Sequence, residues 1–219
     1  MTASVADDKT EVTKWTYNTK IPSYGATGWW DKSAYKEGMV LGDIWGLQFD
    51  RFLTEDDFNA DGSLKAGLPD QTKVFPAGYQ FAPGDVLYKD LDNNGEIVKQ
   101  TNTNDKGDLS VIGNALPRLQ FGLNLDAAWK GFDISMFFQG VAKRKLWAAG
   151  NQVLPGFTTG EPFYKGAEDY WTPENTDAFY PRPMDYKQSA SGNYSVNDRY
   201  LLNMAYLRLK TFYCRIFSS

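Results

Sequence analysis

The sequence predicts an all-β chain: a partial transmembrane antiparallel β-barrel of few strands, with a hairpin at 118–141 and long extracellular loops. Three observations point there. Aromatic residues make up 16% of the 219 residues (7 Trp, 13 Tyr and 14 Phe), yet the mean hydropathy is −0.49. Many aromatics in a polar chain suit either a sugar- or peptide-binding surface or a barrel whose strands alternate apolar and polar and whose rims carry aromatic girdles. Residues 118–141 alternate with a period of two, the signature of strands. Finally, one very short turn contrasts with two very long turn-rich stretches, the asymmetry of outer-membrane barrels.

Taken in order, the segment Glu11–Tyr17 is a short strand candidate, and Val40–Phe52 is apolar enough for a strand but mixed in parity. Residues 53–117 form a long turn-rich stretch with 11 Asp or Glu against 5 Lys. Such an acidic block is by default a solvated loop. The hairpin follows. Leu119, Phe121, Leu123, Leu125, Ala127 and Trp129 share one parity, with Gln120, Asn124 and Asp126 on the other. Lys130-Gly131 fits a two-residue turn. The alternation restarts with Phe132, Ile134, Met136 and Phe138, which are expected on the same face as the first set; Phe137 breaks the polar face. Each strand has the ~10-residue span of a tilted membrane strand. Trp129 and Phe132 flank the turn as inner-girdle residues would, and Lys143-Arg144-Lys145 with Trp147 is expected at the outer rim. Residues 147–197 contain five of the ten prolines and no sustained alternation, hence a long ordered loop. Strand character returns over 198–210, imperfectly alternating. The two loops use more than half the chain, and the strands that remain are too few to close a barrel.

Composition excludes several function classes. The net charge of −4 argues against nucleic acid, which needs a basic surface. The absence of His removes the usual general base and the commonest metal ligand. Cys214 alone supports neither a disulfide framework nor a multi-cysteine zinc site. No apolar run approaches the ~18 residues of a membrane helix, and Met1–Asp8 shows no secretory signal pattern. No G-x-S-x-G, Walker or dinucleotide motif occurs, so no enzyme is expected.

Two stretches resemble half of a calcium loop. Asp90, Asp92, Asn94 and Glu96, with Gly95 at the bend, place oxygen ligands at alternate positions, so several can converge on one hard cation. Asp57, Asn59 and Asp61 with Gly62 repeat the spacing. At the twelfth position, where a bidentate acid belongs, stand Thr101 and Leu68. Calcium is therefore a candidate ion at Asp90–Glu96, with Asp105 or Asp108 as further ligands; turns in which Asp and Asn bind their own backbone are the plainer reading. The aromatics Trp29, Trp30, Phe157, Phe163, Tyr164, Tyr170 and Trp171 are candidates for stacking on sugar rings, with packing inside the loops as the plainer alternative.

A series of short segments resembles the SusC/RagA family of TonB-linked outer-membrane proteins. They run from Glu37-Gly38-Met39 and Gly42-Asp43-Ile44-Trp45-Gly46 through Pro83-Gly84-Asp85 and Tyr88-Lys89-Asp90-Leu91-Asp92-Asn93-Asn94-Gly95 to Val111-Ile112-Gly113-Asn114 and Pro117. Phe121-Gly122-Leu123-Asn124, Trp129-Lys130-Gly131-Phe132-Asp133 and Phe138-Gln139-Gly140 continue the series. Trp171-Thr172-Pro173-Glu174-Asn175, Tyr180-Pro181-Arg182 and Tyr206-Leu207-Arg208-Leu209-Lys210 complete it. Their common order over roughly 37–210 carries the resemblance.

The resemblance implies a piece of the C-terminal part of a barrel of about 22 strands. It implies an outer-membrane location and energy-coupled import of glycans or peptides. It also implies a SusD-like surface lipoprotein as lid, and TonB acting on an N-terminal plug that this stretch does not contain. Thr211–Ser219 departs from the family pattern, as a truncated or frame-altered reading frame would. A soluble secreted β-rich carbohydrate-binding module with calcium-braced loops is the alternative. The apolar face of the hairpin separates the two, since it meets lipid in a barrel and a second sheet in a sandwich.

Overall fold

The computed structural model describes residues 1–15, 37–99, 106–148, 150, 152–157, 163–184 and 192–217. Ten strands follow one another: β1 (Thr2–Ala6), β2 (Asp43–Gly46), β3 (Phe49–Phe52), β4 (Val86–Tyr88), β5 (Ser110–Asn114), β6 (Arg118–Trp129), β7 (Phe132–Lys143), β8 (Lys145–Leu146), β9 (Leu202–Asn203) and β10 (Tyr206–Ile216). Two single-turn 3-10 helices complete the regular structure of the described residues. The expected fold class holds: the chain is all-β and antiparallel, and its sheets do not close.

One sheet has four strands in the order β1-β6-β7-β10, each antiparallel to its neighbour. Its centre is the hairpin expected at 118–141. Lys130 and Gly131 both have positive φ, 44° and 85°, as a two-residue turn between right-twisted strands requires. Trp129 pairs with Phe132, Ala127 with Ile134, Leu125 with Met136 and Leu123 with Phe138. Paired residues share a face, so the two apolar sets lie together as the parity argued. Leu119 is the exception, with φ 52° and no partner in the register.

The flanking strands extend this face. On β1, Ala3 and Val5 stand opposite Leu123 and Phe121. On β10, Leu207 and Leu209 stand opposite Gly140 and Phe138, and Phe212, Cys214 and Ile216 opposite Met136, Ile134 and Phe132. The apolar residues of β10 change from odd to even numbers midway. A bulge between Leu209 and Thr211 absorbs the extra residue, Lys210, so both sets reach one face. That is why the alternation looked imperfect. The result is an apolar surface four strands wide. Leu207, Phe212 and Ile216 are 66%, 61% and 68% exposed, and among the described residues no second sheet lies over them.

Both long connections, β1 to β6 and β7 to β10, leave the same end of this sheet, opposite the 130–131 turn. They fold together. The paired strands β2-β5 and β3-β4 belong to the first, and β8-β9 sits at the base of the second. The stretch 53–117, expected as one turn-rich loop, thus contains β4 and β5. Two apolar clusters fill the loop body, and each mixes both connections. Leu47, Phe52, Val74, Phe75, Val86, Tyr88, Ile97 and Leu109 pack with Trp171 and Ala178. Ile44 packs with Trp147, Leu154, Tyr194 and Tyr200.

Trp147 corrects an expectation. It is 4% exposed inside the second cluster rather than at an outer girdle. The cause is β8: Lys145 and Leu146 leave the four-stranded sheet to pair with Asn203 and Leu202, which carries the chain into the loop body. Of the expected strand Glu11–Tyr17, Glu11 makes a single bridge to Val40, while Thr16 and Tyr17 lie outside the described residues.

A buried polar knot joins the two connections. Asp85 is fully buried. Its carboxylate accepts from Tyr79 Oη (2.8 Å), Ala82 N (2.9 Å), Arg182 Nε (2.8 Å) and Asn193 Nδ2 (3.0 Å). Asn193 Oδ1 in turn accepts from Val86 N at 2.8 Å. Burial, with Asp85 alongside, pushes the Tyr79 hydroxyl above its ordinary range, so it remains a donor.

Candidate functional site

Among the described residues two places carry chemistry, and both lie in the loop body. The first is the acidic turn after β4. Asp90, Asp92 and Asp108 each direct a carboxylate oxygen to within 4.8 Å of the others. The backbone shapes the turn: Asn93 and Gly95 have φ 58° and 85°. Gly95 N donates to Asp90 Oδ2 at 2.7 Å, which holds that carboxyl below the usual carboxylate range. Asp108, fully buried, accepts from Leu91 N (2.8 Å) and Val98 N (2.7 Å), bracketing the turn. Asp90 Oδ1 is buried with no hydrogen-bond partner.

The other expected ligands are placed differently. Asn94 Oδ1 accepts from Glu96 N at 2.7 Å, and Asp92 Oδ1 accepts from Asn94 N at 3.1 Å, as in turns that bond their own backbone. Glu96 forms an ion pair with Lys73. Asp105 and Thr101 lie outside the described residues. The three aspartates present the oxygen chemistry that calcium prefers. The second motif is occupied by protein. Arg51 grips Asp57 with two bonds of 2.6 and 2.7 Å and holds its carboxyl down to about 2. Asp61 caps Ser63.

The second place is an aromatic pocket of about 270 Å³ on the β7–β10 connection. Phe163, Tyr164, Tyr170, Tyr180 and Tyr194 line it, together with Lys165, Glu168 and three prolines. A tight excursion sets two of the walls. Trp171 N donates to Tyr180 O (3.0 Å) and Tyr180 N to Asp169 O (3.0 Å), which draws Tyr170 and Tyr180 side by side. Asp169 fixes the excursion by accepting from Phe179 N and Asn175 Nδ2, both at 3.1 Å. Behind the pocket, Tyr200 stacks on Tyr180 with ring centroids 6.0 Å apart and meets Tyr194 edge-on at 5.4 Å. The floor is thereby anchored in the second apolar cluster, while Phe163, Tyr164 and Tyr170 stay exposed at the rim.

Of the aromatics singled out from sequence, Phe163, Tyr164 and Tyr170 come together here. Phe157 and Trp171 instead join the apolar clusters, and Trp171 covers Gly84, where a Cβ would come within 2.5 Å of its ring. Trp29 and Trp30 lie outside the described residues. Tyr180 and Tyr194 were missed by sequence reasoning. Their only signal is the neighbouring Pro181 and Pro183, which mark an ordered loop without saying which ring faces a cavity.

No protein-family model matches the chain. It is similar to TonB-dependent receptor P3 of Formosa agariphila, 27% identical over 181 residues, covering 80% of this chain and 15% of that protein. It is also similar to TonB-dependent receptor P26 of the same organism, 34% identical over 124 residues, covering 55% of this chain and 11% of that protein. The chain therefore spans less than a sixth of the length of either relative. An open antiparallel sheet with one bare apolar face and both long connections at one end agrees with these likenesses, which together support the TonB-dependent receptor family for this chain.

Proposed function

We propose that the chain supplies a sector of barrel wall and two extracellular loops to a TonB-linked outer-membrane importer of the SusC/RagA kind. In this reading TonB acts on a plug elsewhere in the importer, a SusD-like lipoprotein closes over the loops, and the cargo is a glycan or a peptide. The observation that carries it is the four-strand apolar face, which needs lipid or another sheet to cover it. The long connections then stand outside the cell, and the 130–131 turn faces the periplasm.

This orientation is testable in cells producing the complete importer with Cys214→Ser as background. An impermeant maleimide is expected to label Lys165→Cys on intact cells, and Lys130→Cys only once the outer membrane is opened. The reverse pattern would invert the topology.

We also propose that the Asp90–Asp92–Asp108 cluster takes one calcium ion, a reading favoured by the buried, unpartnered Asp90 Oδ1. Binding to the folded state alone stabilises it by mass action. Millimolar calcium is expected to slow proteolysis within 85–110, and Asp92→Ala to remove that protection. Proteolysis indifferent to calcium would leave a self-bonded turn.

A further inference from the structure

We infer that the aromatic pocket between Pro155 and Tyr194 is a subsite for one neutral pyranose ring at the end of a saccharide. The inference rests on the reading that these loops face the outside, and it adds a site and a ligand class to it. Five rings supply flat apolar walls, and sugars have C–H-rich faces that complement them. Lys165 brings donors, Glu168 acceptors, and the tyrosine hydroxyls both, which suits a ligand dense in hydroxyl groups. The two charges are of opposite sign, so the rim favours neither an anion nor a cation. At about 270 Å³ the cavity lies just under the ~300–1,000 Å³ range of ordinary ligand pockets, so it holds a single ring rather than a longer stretch. The floor is rigid, with Tyr194 4% exposed and tied to Tyr200. A ligand therefore meets a surface already formed, and little ordering is lost on binding. A proline-rich peptide also docks on aromatics, but along an extended groove.

The chain, folded in a sugar-free detergent, provides the test. Saturation-transfer NMR would use cellobiose, maltose and a galactobiose as neutral probes, digalacturonic acid as the anionic one, and a PxxP decapeptide as the competitor. Quenching of Trp129 by a brominated detergent, absent in Trp129→Phe, reports the apolar sheet separately. The expected result is transfer to the terminal ring of a neutral disaccharide, weakened about five- to tenfold by Tyr164→Ala and by Tyr170→Ala. Both residues are exposed, so these variants are expected to keep the fold, and an unchanged proteolysis pattern confirms it. Failure of all the neutral sugars on a chain whose Trp129 is quenched overturns the subsite, as does preference for the decapeptide or the uronic acid. Sugar binding without Trp129 quenching would keep the subsite and refute the barrel wall.

Discussion

Replacing Asp85 with Ala is expected to destabilise the loop body by about 3–5 kcal/mol, the range for breaking a buried ion pair by removing one partner. Asp85 is fully buried, and four donors converge on it from 79, 82, 182 and 193. Its loss strands the Arg182 guanidinium and leaves Tyr79 Oη and Asn193 Nδ2 without their acceptor. An unpaired buried donor carries its full desolvation cost. The same residue ties β4 to the second connection, because Asn193 also receives Val86 N. Both long connections are therefore expected to become protease-sensitive together, at lower urea, while the four-stranded sheet persists. Loss of protection in the first connection alone would show that the knot does not couple them. Arg182→Met is expected to be the milder change, since Tyr79, Ala82 and Asn193 continue to serve the carboxylate.

Phe212→Arg is the second change of large effect. Phe212 stands opposite Met136 on the apolar face and is 61% exposed. In a barrel wall an arginine facing lipid costs about 2–4 kcal/mol at the midplane, less near the interfaces. Assembly of the importer, read as heat-modifiable gel mobility, is expected to fall sharply. Deleting Lys210 is expected to be tolerated, because it removes only the extra residue of the bulge and leaves Leu209 opposite Phe138 and Phe212 opposite Met136. Normal assembly of Phe212→Arg would mean that this face does not meet lipid.

The same bulge shows where the sequence is legible and where it is not. Between 118 and 141 the period of two holds apart from Leu119 and Phe137, and turn, pairing and face all follow from it. In β10 the period is broken by one inserted residue, a tertiary event with no local signature. β1 was not seen because five residues of Thr-Ala-Ser-Val-Ala are too short and too small to show a pattern; the strand exists because the free edge of β6 pairs with it. Trp147 was misplaced because its position after a basic triplet suits a girdle, whereas β8 turns it inward. In the acidic turn, spacing shows Asp90 and Asp92, but Asp108 joins them through bonds to Leu91 N and Val98 N that only the folded loop makes. Glu96 had the right spacing and a nearer cation in Lys73. For the pocket, composition could nominate rings but not sort walls from core.

The two long connections also set an order of events in time. Lys130-Gly131 closes β6 on β7 within two residues, so that hairpin can form on the microsecond scale of local contacts. Joining β1 to β6 spans more than a hundred residues, and joining β10 to β7 some sixty. Chain-closure entropy grows only logarithmically, about 0.6 kcal/mol per doubling, so the longer span costs little more than the shorter. What delays the flanking strands is instead the search by which both spans find each other around Asp85, since neither apolar cluster is complete without residues from both. The hairpin is then the early seed. The outer strands lock on late and nearly at once, and insertions at loop tips away from the knot leave that timetable unchanged.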